Sequence, residues 1–308
     1  QSINDLVMRR RILSLLLVIF SPISAFSQDT EVSYNQIDTE IQRMAINFLK
    51  LRPMQGFDYK NMSISRAYFW QGRMADYLGI KFGPVIGYKT GGHNAGPSFV
   101  TFPKDGIRGL LLEDMLKPNN FKVELGATKR GFLEADFAFR VKDGSINEAN
   151  NEIQLLAGLD AIIPFAEIPD PYYESGTRSV NGTIVSNMGS RFSIMGAPLF
   201  IEPTELWIKK INNFTFAVHD EHNNLIEEGK INGWYKPLVV VKWLRDHLLS
   251  SGIRLKAGDI LSLGNIGIIR QLHPDSPRGP AYQPNSFTLS YYGLSDQPVN
   301  VTIMIDRS

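Results

Sequence analysis

The most regular alternation of large apolar and polar side chains lies in GFLEADFAFRV, from Gly131 to Val141. Leu133, Phe137, Phe139 and Val141 fall two apart, the period of a β-strand with one face in a core. Glu134 and Asp136 take the other face, about 6–7 Å apart along the strand. A buried strand is predicted over the apolar run from Ala161 to Ala166, which Glu167 closes. Further strands are expected in VIGYKTGG, GLLLEDML, VELGA, RFSIMGAPLF, LWIKKI and FTFAVHD, the last turning at His219–Asn224 into a hairpin partner. GDILSLGNIG, SFTLSYYGL and VNVTIMID extend this β-structure to the end of the chain.

The helical period replaces the strand period in four places. Residues 35–50 and 63–80 read as amphipathic helices; in the second, Ile64, Ala67, Tyr68, Met74, Ala75, Tyr77 and Leu78 repeat at three and four. Pro53 and Gly56 break the chain between them, and Gly79, Gly83 and Pro84 close the helical part. Residues 148–158 suit a helix, and 237–251 suit one better, with Pro237 in its first turn and Gly252 past its end. Residues 181–190 suit a short helix or a turn. The pattern predicts an α+β chain, with an N-terminal helical segment at 28–83 and a mixed, strand-rich domain at 84–308.

The N-terminus departs from both periods. Met8 is followed by Arg9, Arg10 and Arg11, then by the apolar run Ile12 to Phe20, then by SPISAFSQ. A basic start, a short apolar stretch and the small residues Ala25 and Ser27 predict a secretory signal from Met8 to Ser27, cleaved before Gln28. Residues 1–7 are read as lying upstream of its start. Nine apolar residues are too few to cross roughly 30 Å of hydrocarbon, so no stable membrane anchor is expected after cleavage. With no cysteine in the chain, there is neither a lipid attachment site nor a disulfide. The expected location is periplasmic or secreted.

That segment also changes the reading of charge. The 308 residues carry 32 basic and 31 acidic side chains. Without residues 1–27, which hold three arginines and Asp5, 29 basic and 30 acidic remain. No cluster of Lys and Arg marks a nucleic-acid footprint, and nucleic acid is not an expected partner.

Candidate chemistry centres on the acids. Two carboxylates side by side repel unless a cation or a proton sits between them, or unless their face is solvated. Glu167, between apolar runs and shortly before Pro169, needs a partner if it is buried. Should the two strands meet, Glu134, Asp136 and Glu167 could form a three-carboxylate cup for a hard divalent ion. Lys89, in GYKTGG at the end of an apolar strand, could meet a substrate carboxylate or enolate, or exchange protons once burial lowers its pKa. The glycines at 87, 91, 92 and 96 form no phosphate loop, because no Gly-Lys-Ser/Thr follows. His219 and His222 belong to a turn, His93 lies in the glycine loop within reach of a substrate, and no G-x-S-x-G elbow is present.

In order along the chain, GYKTG, RGLLLEDML, FLEADFAFRVKD, AIIPFAEIPD, GWYKPLVVVKWLRDHL and LKAGDILSLGNIG resemble the 2-keto-4-pentenoate hydratase branch of the fumarylacetoacetase family. The likeness covers most of residues 62–270. It implies a fumarylacetoacetase-like mixed β-core, a curled β-roll with flanking helices. It also implies Mg²⁺ or Mn²⁺ held by an E-x-E pair and a third acid, here Glu134, Asp136 and Glu167, with Lys89 as the catalytic lysine. Aspartate at 136 shortens one ligand by a methylene but keeps its oxygen donors. The resemblance further implies a homo-oligomer and a small keto acid as substrate.

Two departures matter. The hydratase branch carries an Asp-Asn-Ala-Ser run after the third ligand; this chain has Ser186-Asn187-Met188-Gly189-Ser190, which leaves Asn187 and Ser190 as candidate substrate contacts. Asp105 stands displaced from the position of an acid expected just before RGLLLEDM. The relatives act mainly in the cytosol on catabolic intermediates, unlike an exported chain. Three readings therefore stay open: a hydratase-like lyase of a short 2-keto acid, a decarboxylase or C–C hydrolase on the same scaffold, and an exported keto-acid-binding protein without catalysis.

Overall fold

Two N-terminal helices form where the three-and-four repeat predicts them. The computed structural model describes residues 33–56, 62–93, 102–231, 236–274 and 283–308. The segment read as a secretory signal lies outside these residues, as does part of the glycine loop after His93. Ser33 caps α1 (Tyr34–Leu49) and Ser63 caps α2 (Ile64–Phe82), each accepting a backbone N–H of the first turn. Gly83, at φ 74°, ends α2 in a conformation that favours glycine.

Strands β1 (Val85–Gly91), β2 (Ile107–Leu112), β3 (Leu116–Pro118), β4 (Lys122–Glu124) and β5 (Phe132–Val141) follow. Then come α3 (Glu152–Ala157), β6 (Leu159–Ile168), α4 (Val180–Val185), β7 (Phe192–Met195) and β8 (Leu199–Phe200). The chain continues through α5 (Glu205–Ile211), β9 (Thr215–His219), β10 (Leu225–Lys230) and α6 (Pro237–Ser250). It ends in β11 (Ile260–Ser262), β12 (Arg270–Gln271), β13 (Ser286–Tyr292) and β14 (Val299–Asp306). Among the described residues the larger sheet runs β2-β1-β11-β5-β6-β7-β3, with β12 on β5 and β8 on β6; the smaller runs β10-β9-β13-β14-β4. The larger sheet curls as a half-barrel, giving the expected mixed α+β architecture.

Three expectations need correction. LWIKKI forms helix α5, because Thr204 caps its N-terminus, Glu205 lies in the first turn and Lys209 and Lys210 in the last, where they complement the helix dipole. GLLLEDML is interrupted by a 3₁₀ turn at Glu113–Met115 between β2 and β3. The helix expected over 148–158 begins only at Glu152, behind an Asn151 cap.

β5 is buried more fully than its alternation predicts. Its second face is not solvated: β5 is central, paired with β11 on one side and β6 on the other, and both of its faces are buried. Leu133, Ala135, Phe137, Phe139 and Val141 join a large core that includes Phe214 just before β9, Phe287 and Tyr291 from β13, and Ile41, Phe48, Trp70 and Met74 from α1 and α2. Ala138, on the acids' face, belongs to a separate small cluster with Leu111, Ala161, Ile163, Phe165 and Ile260. The acids therefore share their face with an apolar patch.

Arg108 ties helices to the rim of the sheet. Its guanidinium lies 4.3 Å from the Tyr68 ring centre, and its Nε donates to His247 Nδ1 at 3.0 Å. Its other nitrogens donate to Gln71 Oε1 at 3.2 Å and Ser251 Oγ at 3.3 Å, so α2 and α6 are both fastened to β2. Burial, then the Arg108 charge, push His247 down to about 4, and burial takes His93 down to about 4.

Both histidines are neutral in the folded protein where the unfolded chain, titrating near 6.5, already binds protons. Their contribution is complete above pH 6.5 and is lost as the pH falls to about 4. Denaturant midpoints measured between pH 7 and 4 should decline, and less steeply in His247→Gln, which keeps an acceptor for Arg108.

Candidate metal and substrate site

Strand register brings the predicted acids together. β5 and β6 run antiparallel with Glu134 opposite Glu167 and Asp136 opposite Phe165. Glu134, Asp136 and Glu167 thus share one face, since residues two apart and directly paired residues point the same way. β11 lies on the other side of β5, and Ser262 faces both Ala138 on β5 and Lys89 on β1. Lys89 in turn pairs with Gly109 on β2. A Cβ at 109 would stand 3.0 Å from Lys89 Cγ, so glycine there leaves room for the lysine stem.

The side chains form a buried network. Lys89 Nζ donates to Glu167 Oε2, and both side chains are buried. Ser262 Oγ lies 2.5 Å from Asp136 Oδ2 and 3.2 Å from Glu167 Oε1. The Phe137 N–H donates to Asp136 Oδ1 at 2.6 Å. Beneath the strand, Tyr291 OH donates to the carbonyl oxygens of Asp136 and Phe165, the latter at 3.1 Å, tethering β5 and β6 to β13.

Charge in this space is unbalanced. Burial, then the negative charge of Glu167, raise the Asp136 carboxyl well above its usual range; Ser262, Phe137 N–H and Lys89 oppose them. Burial is also the largest influence on Lys89 and lowers it, but the charges of Glu167, Glu134 and Asp136 with the Glu167 hydrogen bond outweigh it together. The net direction is upward. Burial by itself would lower the lysine; the three acids of β5 and β6 reverse the sign. The Lys89 ammonium is held by its acidic neighbours.

The three-carboxylate cup is not drawn up ready-made. Among the described residues no three acidic or histidine side chains stand as a metal-binding group. The reason is visible in the contacts: the Lys89 ammonium engages Glu167, and the Ser262 hydroxyl lies between Asp136 and Glu167. The donor set still suits a hard divalent ion in kind and in charge. All three acids act on Lys89, two of them share one hydroxyl, and one ammonium leaves an excess of negative charge among them.

The other candidates fall into two groups. Asn187 donates from Nδ2 to the Leu110 carbonyl at 2.8 Å and accepts the Leu110 N–H on Oδ1 at 2.6 Å. Its amide therefore docks the 186–190 turn onto β2. Ser190 is buried, and its hydroxyl has no hydrogen-bond partner among the described residues. Asp105 is exposed, and His93 packs edge-on against Trp243 at 4.9 Å. His222 lies in the exposed turn expected of it.

Ser262 and Tyr291 were missed. Ser262 carried a weak signal as the polar residue within the apolar run Ile260–Leu263; Tyr291 carried none, because its partners lie 155 and 126 residues away.

The curled sheet and its layers define a fumarylacetoacetase-like fold. Solved structures of this build include 4-oxalocrotonate decarboxylase from Pseudomonas putida G7 complexed with magnesium and adipate, at TM-score 0.69 and 17% identity, over 89% of this chain and 98% of that one. The same enzyme complexed with calcium and acetate matches at TM-score 0.68 and 17% identity, with the same coverage. No family model and no curated protein matches the sequence. Likeness at this identity establishes the fold.

The network makes a direct prediction about stability. Removing one partner of a buried charge group leaves the others uncompensated, at a cost of about 3–5 kcal/mol. Lys89→Met should lose that much in urea unfolding at neutral pH, far more than substitution of a solvated lysine.

Proposed function

We propose that this protein is a metal-dependent enzyme acting on a short 2-keto acid through an enolate, with hydration of a 2-hydroxydienoic acid as the first reading. The observation that carries the proposal is the buried Lys89–Glu167–Ser262–Asp136 network on the half-barrel. Glu134, Asp136 and Glu167 would hold Mg²⁺ or Mn²⁺. Such an ion supplies Lewis-acid stabilisation for negative charge developing on the keto oxygen.

The chain's own residues do the rest. The Lys89 ammonium, kept charged by its acidic neighbours, holds the substrate carboxylate or delivers a proton from Nζ. Ser262 keeps two of the acids in register. Asn187 fixes the turn that carries Met188 beside the lysine stem. The small apolar cluster on the same face keeps water from the acids' flank and strengthens each charge interaction.

A decarboxylase is the second reading, and the fold neighbour complexed with magnesium and adipate favours it. C–C hydrolysis and catalytically inactive keto-acid binding complete the set. The proposal extends to export by the Met8–Ser27 signal, to a helical segment at 28–83 preceding a catalytic domain at 84–308, and to assembly of identical subunits. No helix of the described residues is long and apolar enough to cross a membrane.

The test is a panel of short 2-keto acids incubated with protein and Mg²⁺ or Mn²⁺, followed by ultraviolet absorbance and mass spectrometry. Gain of water identifies a hydratase, loss of carbon dioxide a decarboxylase, and two acid fragments a C–C hydrolase. Glu134→Ala should lower kcat/KM by about 100-fold or more, and chelation should abolish turnover until metal is returned. Binding of the acids with no turnover on any of them would leave only the binding-protein reading.

A further inference from the structure

We infer that Ser262 is a positioning residue of the acid cluster: its hydroxyl sets Asp136 and Glu167 relative to each other, and so determines how tightly they take a divalent cation. The inference rests on the reading that these acids are metal ligands. It goes beyond that reading by giving a role to a residue that is neither an acid nor the lysine.

The geometry is specific. Ser262 is wholly buried on β11, and its Cα is in register with Lys89 on one side and Ala138 on the other. The carboxylates it touches sit on different strands, 126 and 95 residues away in sequence. Each carboxylate is held at both oxygens. Asp136 takes Phe137 N–H at Oδ1 and Ser262 at Oδ2; Glu167 takes Ser262 at Oε1 and Lys89 at Oε2. Ser262 is the group common to the two.

Two neighbouring carboxylates repel, and in a buried site the repulsion is only weakly screened. A hydroxyl between them reduces it, because its one proton lies in the gap and is shared by Asp136 Oδ2, the nearer acceptor, and Glu167 Oε1. Alanine at 262 leaves the backbone pairing intact but removes one restraint from each carboxylate. The acids then separate, and an ion must draw them back before it can bind. Loss of an outer partner to metal ligands typically weakens affinity by about 10–100-fold.

The experiment measures Mn²⁺ binding by calorimetry and by the electron paramagnetic resonance of free Mn²⁺, with no turnover involved. Ser262→Ala should bind Mn²⁺ about 10–100-fold more weakly than wild type. Ser262→Thr, which keeps the hydroxyl, should stay near the wild-type value. Tyr291→Phe is the control for general loosening, because it releases the Asp136 and Phe165 carbonyls and touches no carboxylate. It should lose stability yet keep its Mn²⁺ affinity.

Unchanged affinity in Ser262→Ala overturns the inference alone. So does an equal loss in Ser262→Thr or in Tyr291→Phe, since the effect would then belong to packing and not to the hydroxyl. A wild-type protein that binds no Mn²⁺ overturns the metal reading itself, and this inference with it.

Discussion

Three acids and one ammonium share a buried strand face, and that imbalance of charge constrains the structure around it. An ionised carboxylate removed from water costs several kcal/mol unless its oxygens find donors. Here each donor comes from a different part of the chain. The Phe137 N–H is local, Lys89 arrives on β1, and Ser262 arrives on β11. β11 must therefore insert between β1 and β5, parallel to one and antiparallel to the other, or the site has no serine and no properly placed lysine. The order of strands in the sheet and the satisfaction of the acids are one problem with one solution.

The two faces of β5 divide the work. One carries Leu133, Phe137 and Phe139 into the main core, where Phe137 meets Phe214 edge-on at 5.1 Å. The other begins with acids and continues into Ala138, next to Ile163, Phe165 and Ile260. These apolar side chains pack beside the acids and keep the local dielectric low. Low dielectric disfavours charge on both groups, raising Asp136 and pulling Lys89 down, while the acids' own charges, little screened there, turn the net direction of Lys89 upward. Tyr291 connects the faces, since its hydroxyl reaches from the second sheet to the backbone of the strands that carry the acids.

Much of this was legible in the chain. The period-two run of β5 gave the strand and the side on which Glu134 and Asp136 stand, and the run ending at Glu167 gave its partner. Their direct pairing follows from a short return through α3, which makes β5 and β6 antiparallel neighbours. What stayed hidden depended on distant pairings. Periodicity places a serine in β11 but cannot say which strands flank it, and the burial of β5 on both faces depends on those same neighbours. The sign of the Lys89 shift depends on the same pairings: desolvation is a local property of an apolar strand, whereas the opposing charges come from β5 and β6. LWIKKI failed differently, because alternation over six residues fits either element and the Thr204 cap with its charged ends decided for a helix.

The 186–190 turn, next to the acid–lysine network, is held in an unusual backbone conformation. Asn187, Met188 and Gly189 all have positive φ, at 55°, 57° and 68°. Two of these are not glycine, so the run is strained and needs an external hold. Asn187 provides it through both of its hydrogen bonds to Leu110, which leaves Met188 as the side chain directed along the lysine strand. A Cβ at Gly91 would stand 2.7 Å from Met188 Cε, and one at Gly109 3.2 Å from its Sδ. A flexible thioether therefore lies beside the Lys89 stem, where it can adapt to its neighbours. A strained turn fixed by one asparagine thus stands beside the lysine, at the point where the chain departs from the motif of the family it resembles.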